Sequence, residues 1–166
     1  MAVLLVKTLG SPHPQVKVKT YMRRLFIIRR DLHLTPGKLG AMIAHCSESY
    51  WLNLIGQNTK DTDGKHSVSF VLPDDIFTGY IKKGITKTIC EAKNLNKLLQ
   101  ARDMALSMGL KEEEDFGLIC DACHTELTPE AYDENGEGYC TVGIWFKPLE
   151  DDTAHLISRK YSLYRD

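Results

Sequence analysis

The sequence predicts an α/β fold, a small mixed β-sheet of about four strands with helices on both faces. Strand-like and helix-like stretches alternate along the chain, and a helix between successive strands demands a parallel crossover. The last two strand-like stretches, "FGLICD" and "YCTVGIWF", are joined without a helix, which leaves room for an antiparallel member.

"RRLFIIRRD" reads as the first strand: four apolar residues, Leu25 to Ile28, with basic residues on either side. A helix follows, with Thr35 as its cap, Pro36 in its first position, and a core-facing stripe of Leu39, Ile43, Cys46, Tyr50 and Leu54. "GQNTKDTDGKHS" is polar and turn-rich, so an exposed insertion is expected near residues 56–72. "VSFVL" reads as a short strand, and "PDDIFTGYIKK" as a short helix begun by Pro73 with acids in its first turn. "GITKTICEA" has the β-branched content of a strand. "NLNKLLQARDMALSMGL" reads as a helix capped by Asn94, carrying a leucine stripe and ended by Gly109. After the two closing strands and the acidic, glycine-bearing loop between them, "LEDDTAHLISRKY" supplies a last helix.

At 166 residues the chain suits one domain with one sizeable core, expected over 24–166 after an N-terminal extension, 1–23. A composition 43% hydrophobic and 26% charged excludes the disordered class. The net charge of −1 excludes coating of nucleic acid by bulk charge, though a local basic groove is compatible with it. No apolar run reaches the roughly 18–20 residues that span a bilayer, so no membrane partner is expected. "MAVLLVKTL" lacks the features of a secretory signal and reads as a strand or an arm. A cytoplasmic location follows, with the five cysteines kept reduced.

The helix opened by "TPGKLGAMIAHC" poses the functional question. At about 100° per residue, Lys38, Met42, His45 and Ser49 share a narrow sector away from the apolar stripe. A first-turn lysine opposes the helix dipole, so an anion is expected beside it. Gly37 keeps the helix start uncluttered, where free N–H groups bind anions.

"IIRRDLHLTPGKLGAMIAHC" resembles the opening of the type II peptidyl-tRNA hydrolases. There a strand ends in Arg-x-Asp-Leu, and Gly-Lys, a small-residue pair and a histidine seven positions after the lysine follow. A second block, from "GITKTICEA" through "LNKLLQARDMALSMGL" to "LICDACHTEL", is similar to the family's strand, helix and Asp-Ala-Gly-x-Thr segment. The resemblance covers roughly residues 24–148. Met42 stands where the family usually has Gln, Cys123 where it has Gly, Glu91 where lysine is common, and Lys147 where Gly precedes the closing Pro. The connection after Thr125 is longer and more acidic than usual.

The resemblance implies cofactor-independent hydrolysis of the ester joining a peptide to the terminal ribose of tRNA, with peptidyl-tRNA as partner and a homodimer as assembly. It assigns Lys38, Asp121 and Thr125 to the reactive cluster, with His45 as a supporting member. Lys38 would neutralise a phosphate or an oxyanion, Asp121 would orient water or take its proton, and Thr125 would position that water. For RNA, the basic residues Arg29, Arg30 and Lys87 are the candidates, with Arg23 and Arg24 nearby in sequence. The rival reading is a catalytically altered member that binds RNA or a protein; a third is hydrolysis of another small ester or amide.

"CDACH" matches the C-x-x-C-H pattern of covalent haem attachment, but one such pair without partner spacing is not a metal or haem site. Cys46, Cys90, Cys120 and Cys140 are expected to be small buried hydrophobes, and Cys123 is left as a candidate reactive thiol.

Overall fold

A computed structural model describes residues 21–165. Strand β1 (Met22–Arg29) runs through the centre of the sheet. Helix α1 (Pro36–Gln57) crosses to a hairpin of β2 (Thr59–Thr62) and β3 (Lys65–Val68), then to a π-helical turn, Asp75–Ile81. Strand β4 (Lys87–Ala92), helix α2 (Leu95–Ser107) and strand β5 (Phe116–Asp121) follow. The chain closes with β6 (Ala131–Tyr132), β7 (Gly138–Phe146), β8 (Leu149–Glu150), α3 (Asp151–Ser158) and β9 (Ser162–Leu163).

The α/β class holds, but the main sheet has seven strands, ordered β5-β7-β1-β4-β9, with β6 on β7 and β8 on β1. The excess over four consists of β6, β8 and β9, which are two residues each and too short to show an alternating pattern. β1 and β4 are parallel, as a helical crossover requires, with Ile28 opposite Glu91 and Arg29 opposite Ala92. β7 is the antiparallel member, and it lies between β5 and β1 rather than at an edge. Antiparallel to both, it leaves β5, β1 and β4 ending on one common edge of the sheet.

Alternation along β1 explains the two cores. Leu25 and Ile27 pack with Leu98, Ala101 and Ala105 of α2 and Ala154 and Ile157 of α3. Phe26 and Ile28 point the other way, toward Cys46 and Tyr50 of α1 and Ile76 and Tyr80 of the π-helical turn. α1 lies close because β7 carries Gly143, where a Cβ would meet Ile28 Cδ1 at 2.7 Å and approach Cys46 Sγ at 3.7 Å. Helices thus cover both faces. α2 begins at Asn94, whose side chain accepts from the Lys97 amide, and stops at Gly109 with φ of 81°.

Four expectations are corrected. "VSFVL" contributes only Val68 to a strand, and Val71 is fully solvated. The helix of 73–83 is π-wound, the Lys82 amide bonding to Phe77 O. Met42 is buried against the core with Ile119 and Val142, because its sector of α1 turns toward the end of β5. Cys120 is exposed, lying past a register shift between Ile119 and Cys120 near the carboxyl end of β5, whereas Cys46, Cys90 and Cys140 are buried. β1 begins at Met22, inside the stretch assigned to the extension, and residues 1–20 of that stretch lie outside the described residues. Among the described residues, no helix is long and apolar enough to cross a membrane.

Candidate active site

The common edge at the carboxyl ends of β1, β4 and β5 is where open α/β sheets place their ligands. α1 starts there. Thr35 caps it by accepting from the Lys38 amide, and Pro36 occupies the first turn. Asp121 is the last residue of β5, and the loop beyond it carries Thr125.

These elements bring three sequence-predicted residues together. Lys38 Nζ lies 2.5 Å from Asp121 Oδ2, and it donates to Thr125 Oγ1 at 3.4 Å. Both members of the ion pair are largely shielded, with side chains 15% and 10% exposed. The second carboxylate oxygen, Asp121 Oδ1, accepts from the Cys123 amide at 2.9 Å. Burial pushes the Asp121 carboxyl upward, but the Lys38 ammonium and the Cys123 amide outweigh it and hold the group below the usual aspartate range. Asp121 is therefore a fixed, ionised carboxylate at neutral pH.

Cys123 has φ of 57°, a left-handed conformation that glycine adopts freely and cysteine resists. That backbone turn aims its amide at Asp121, which explains why glycine suits the position. Burial and the Asp121 charge push the Cys123 thiol's pKa up, which disfavours the nucleophilic thiolate.

The other predicted residues divide. His45 is exposed two turns along α1, about 10 Å from Lys38 along the axis, and its imidazole makes no bond to the cluster. Arg29 is 2% exposed and committed elsewhere. Its guanidinium grips Asp31 at 2.8 and 3.1 Å, both oxygens of Glu130 and the Thr141 carbonyl, so it has no face for RNA. The Glu130 and Asp31 carboxylates raise its pKa, and Arg29 in turn lowers that of Glu130. Arg24 is fully buried, donating to the carbonyls of Phe146, Ser47 and Cys46. Lys87 is exposed but opens β4, which is parallel to β1, so it lies at the opposite edge of the sheet from Asp121. Arg30 is exposed at the site's own edge, paired with Glu91 at 2.9 Å.

Sequence reasoning missed Glu126. Its carboxylate accepts from Thr35 Oγ1 at 2.6 Å and lies 3.4 Å from the Thr35 amide. It ties the start of α1 to the loop bearing Thr125, and it supplies an acid that the helix dipole attracts. Its place beside Thr125 in the second matched block was the available signal. Among the described residues, no group of three or more His, Cys, Asp or Glu is placed to hold a metal ion.

Comparison with known proteins gives this geometry its context. The family profile described as peptidyl-tRNA hydrolase PTH2 matches residues 22–164. The chain belongs to that family. The peptidyl-tRNA hydrolase of Sulfolobus acidocaldarius is 28% identical over 108 residues, covering 65% of this chain and 78% of that protein. The peptidyl-tRNA hydrolase of Thermoplasma acidophilum is 23% identical over 141 residues, covering 85% of this chain and 97% of its own length. In this PTH2 member the matched span starts with β1 and ends in the segment after β9, so the profile encloses both loops that build the Lys38–Asp121 pair.

Proposed function

We propose that this chain hydrolyses the ester of peptidyl-tRNA through the cluster of Lys38, Asp121 and Thr125. The observation that carries the assignment is the convergence of an ammonium, a carboxylate and a hydroxyl from separate loops at the carboxyl edge of the sheet. Membership of the PTH2 family supports the substrate class.

Each group suits a step of ester hydrolysis. The carbonyl oxygen gains negative charge as water attacks, and the Lys38 ammonium stabilises it; a positioned donor of this kind is worth about 10²–10³ in rate. Asp121 stays ionised, holds Lys38, and accepts a hydrogen bond from the attacking water, orienting it. Its lowered pKa makes it a better anchor than proton acceptor, so the proton the attacking water gives up passes to the departing ribose oxygen as the ester C–O bond breaks. Thr125 accepts from Lys38, which leaves its own hydroxyl proton free to donate to water or substrate. His45 stands outside this chemistry.

The family reading also supports a homodimer and a cytoplasmic location, the latter consistent with five free cysteines. The deciding experiment incubates the purified chain, and a Lys38→Ala variant, with peptidyl-tRNA and with a tRNA-free aryl ester. Release of peptide from tRNA by the unaltered chain alone is the expected result. Binding without release, or activity confined to the aryl ester, would replace this reading.

A further inference from the structure

We propose that a basic groove beside the catalytic cluster grips the phosphate backbone of the substrate's single-stranded tRNA end, about four nucleotides from the scissile ester. This rests on the peptidyl-tRNA reading and gives it a direction along the surface.

The groove encloses about 430 Å³ at the ends of β1 and β4. Its walls carry Arg30, Lys93, Lys97 and Lys160, with Glu91 as the one carboxylate. Four cations against one carboxylate is a local excess of positive charge on a chain whose net charge is −1. Among the described residues, Glu91 pairs with Arg30, the Lys97 ammonium bonds to the neutral side chain of Gln100, and no carboxylate pairs with Lys93 or Lys160. Lys93 and Lys97 also flank the start of α2, whose first turn carries no acid, so dipole and side chains repel each other there. Such concentrated positive charge costs stability unless an anion offsets it.

Placement gives the groove its register. Arg30 lines both it and an adjoining cleft of about 520 Å³ that reaches Pro36, Leu39 and Gly40 on the first turns of α1. A continuous edge therefore leads from the helix that carries Lys38 to the lysines. In the strand order β5-β7-β1-β4, Asp121 and the groove are three strand spacings apart, about 14 Å. A stacked single strand rises about 3.4 Å per nucleotide, so that distance spans about four nucleotides. The chemistry required of the ligand is a row of phosphates that begins a few residues from an ester on the terminal ribose. A free mononucleotide is too short to use both places.

The test uses the full chain with Lys93, Lys97 and Lys160 changed to Ala. All three are exposed, so the fold is not at risk. Two substrates separate groove from chemistry: peptidyl-tRNA, and a 3′-O-acetylaminoacyl-adenosine that keeps the ester but has no phosphates. The triple variant should raise KM for peptidyl-tRNA at least about tenfold and lower the log–log salt slope by about 2, at about 0.7 per single-strand phosphate lost. Its kcat, and its rate on the adenosine ester, should not change. Glu91→Gln frees Arg30 and should lower KM for peptidyl-tRNA, a gain that misfolding cannot imitate. A control triple, Lys60, Lys65 and Lys82 to Ala, removes equal charge away from the groove and should leave the slope intact. An unchanged slope in the groove variant, or an equal loss in the control, overturns the proposal. If neither substrate is cleaved by the unaltered chain, the hydrolase reading fails, and titration of labelled tRNA against the same variants still decides the groove.

Discussion

Lys38 Nζ and Asp121 Oδ2 meet at 2.5 Å although one belongs to the first turn of α1 and the other ends β5. The pair neutralises itself in the free protein, so the ammonium is held in place before any substrate arrives. Preorganised charge of this kind acts on the transition state because it needs no rearrangement as the reaction proceeds.

Lys38→Ala should therefore lower single-turnover hydrolysis of peptidyl-tRNA by about 10²–10³. Asp121→Asn keeps the shape and the acceptance of the Cys123 amide but releases Lys38, and should lose a comparable factor. Quenched-flow measurement at saturating enzyme separates this loss from binding.

Thr125 and His45 are distinguished by a milder pair of changes. Thr125→Val removes the hydroxyl and should cost about tenfold in kcat, within the range of a single neutral hydrogen bond. Thr125→Ser should restore most of it. His45→Ala should remain within about twofold, since the imidazole has no contact with the cluster. A larger His45 effect would show that the cluster extends along α1.

The pH dependence follows from two depressed carboxyls. Asp121 and Glu130 both have folded values below their unfolded ones. Their stabilisation is therefore complete above the unfolded range, about pH 4–4.5, and is lost as pH falls through the lower folded values. Thermal melting should be insensitive to these groups between pH 6 and 8, and should fall below about pH 4. Glu130→Gln should flatten part of that acid fall, because the glutamine carries no titrating charge against Arg29.

Arg24 is buried with carbonyls rather than a carboxylate for partners, and burial lowers its pKa to about 10. It fastens the middle of α1 to β1 and β7. Arg24→Ala leaves those carbonyls unsatisfied and opens a cavity, and should destabilise by about 3–5 kcal/mol. Urea unfolding monitored by circular dichroism gives the value directly.

Cys123→Gly should stabilise slightly. Relief of the left-handed backbone is worth about 1 kcal/mol, offset in part by the greater freedom of glycine when unfolded. Activity should be retained, because the amide that holds Asp121 belongs to the backbone.

Much of this was readable because short-range chemistry wrote it. Thr35, Pro36, Asn94 and Gly109 mark helix ends by capping rules that need no tertiary partner, and the crossover rule made β1 and β4 parallel. The burial of Arg24 and Arg29 was not legible, because the carbonyls of α1 and the carboxylate of Glu130 that hold them are remote in sequence. The distance of Lys87 from the cluster was hidden for a different reason: only the direction of β4 places it at the edge opposite Asp121. Met42 and Lys38 lie on one helical sector, and only the position of β5 decides that the first is buried and the second meets an acid.

The central, antiparallel placement of β7 governs whether this protein can work. Without Gly138–Phe146, β1 keeps only β4 and the two-residue β8 as partners, and β5 loses its long pairing to the sheet. The loop holding Asp121 would then have no scaffold to set its distance from α1. A chain cut before β7 would offer an unpaired, apolar strand to its neighbours instead of a reaction centre.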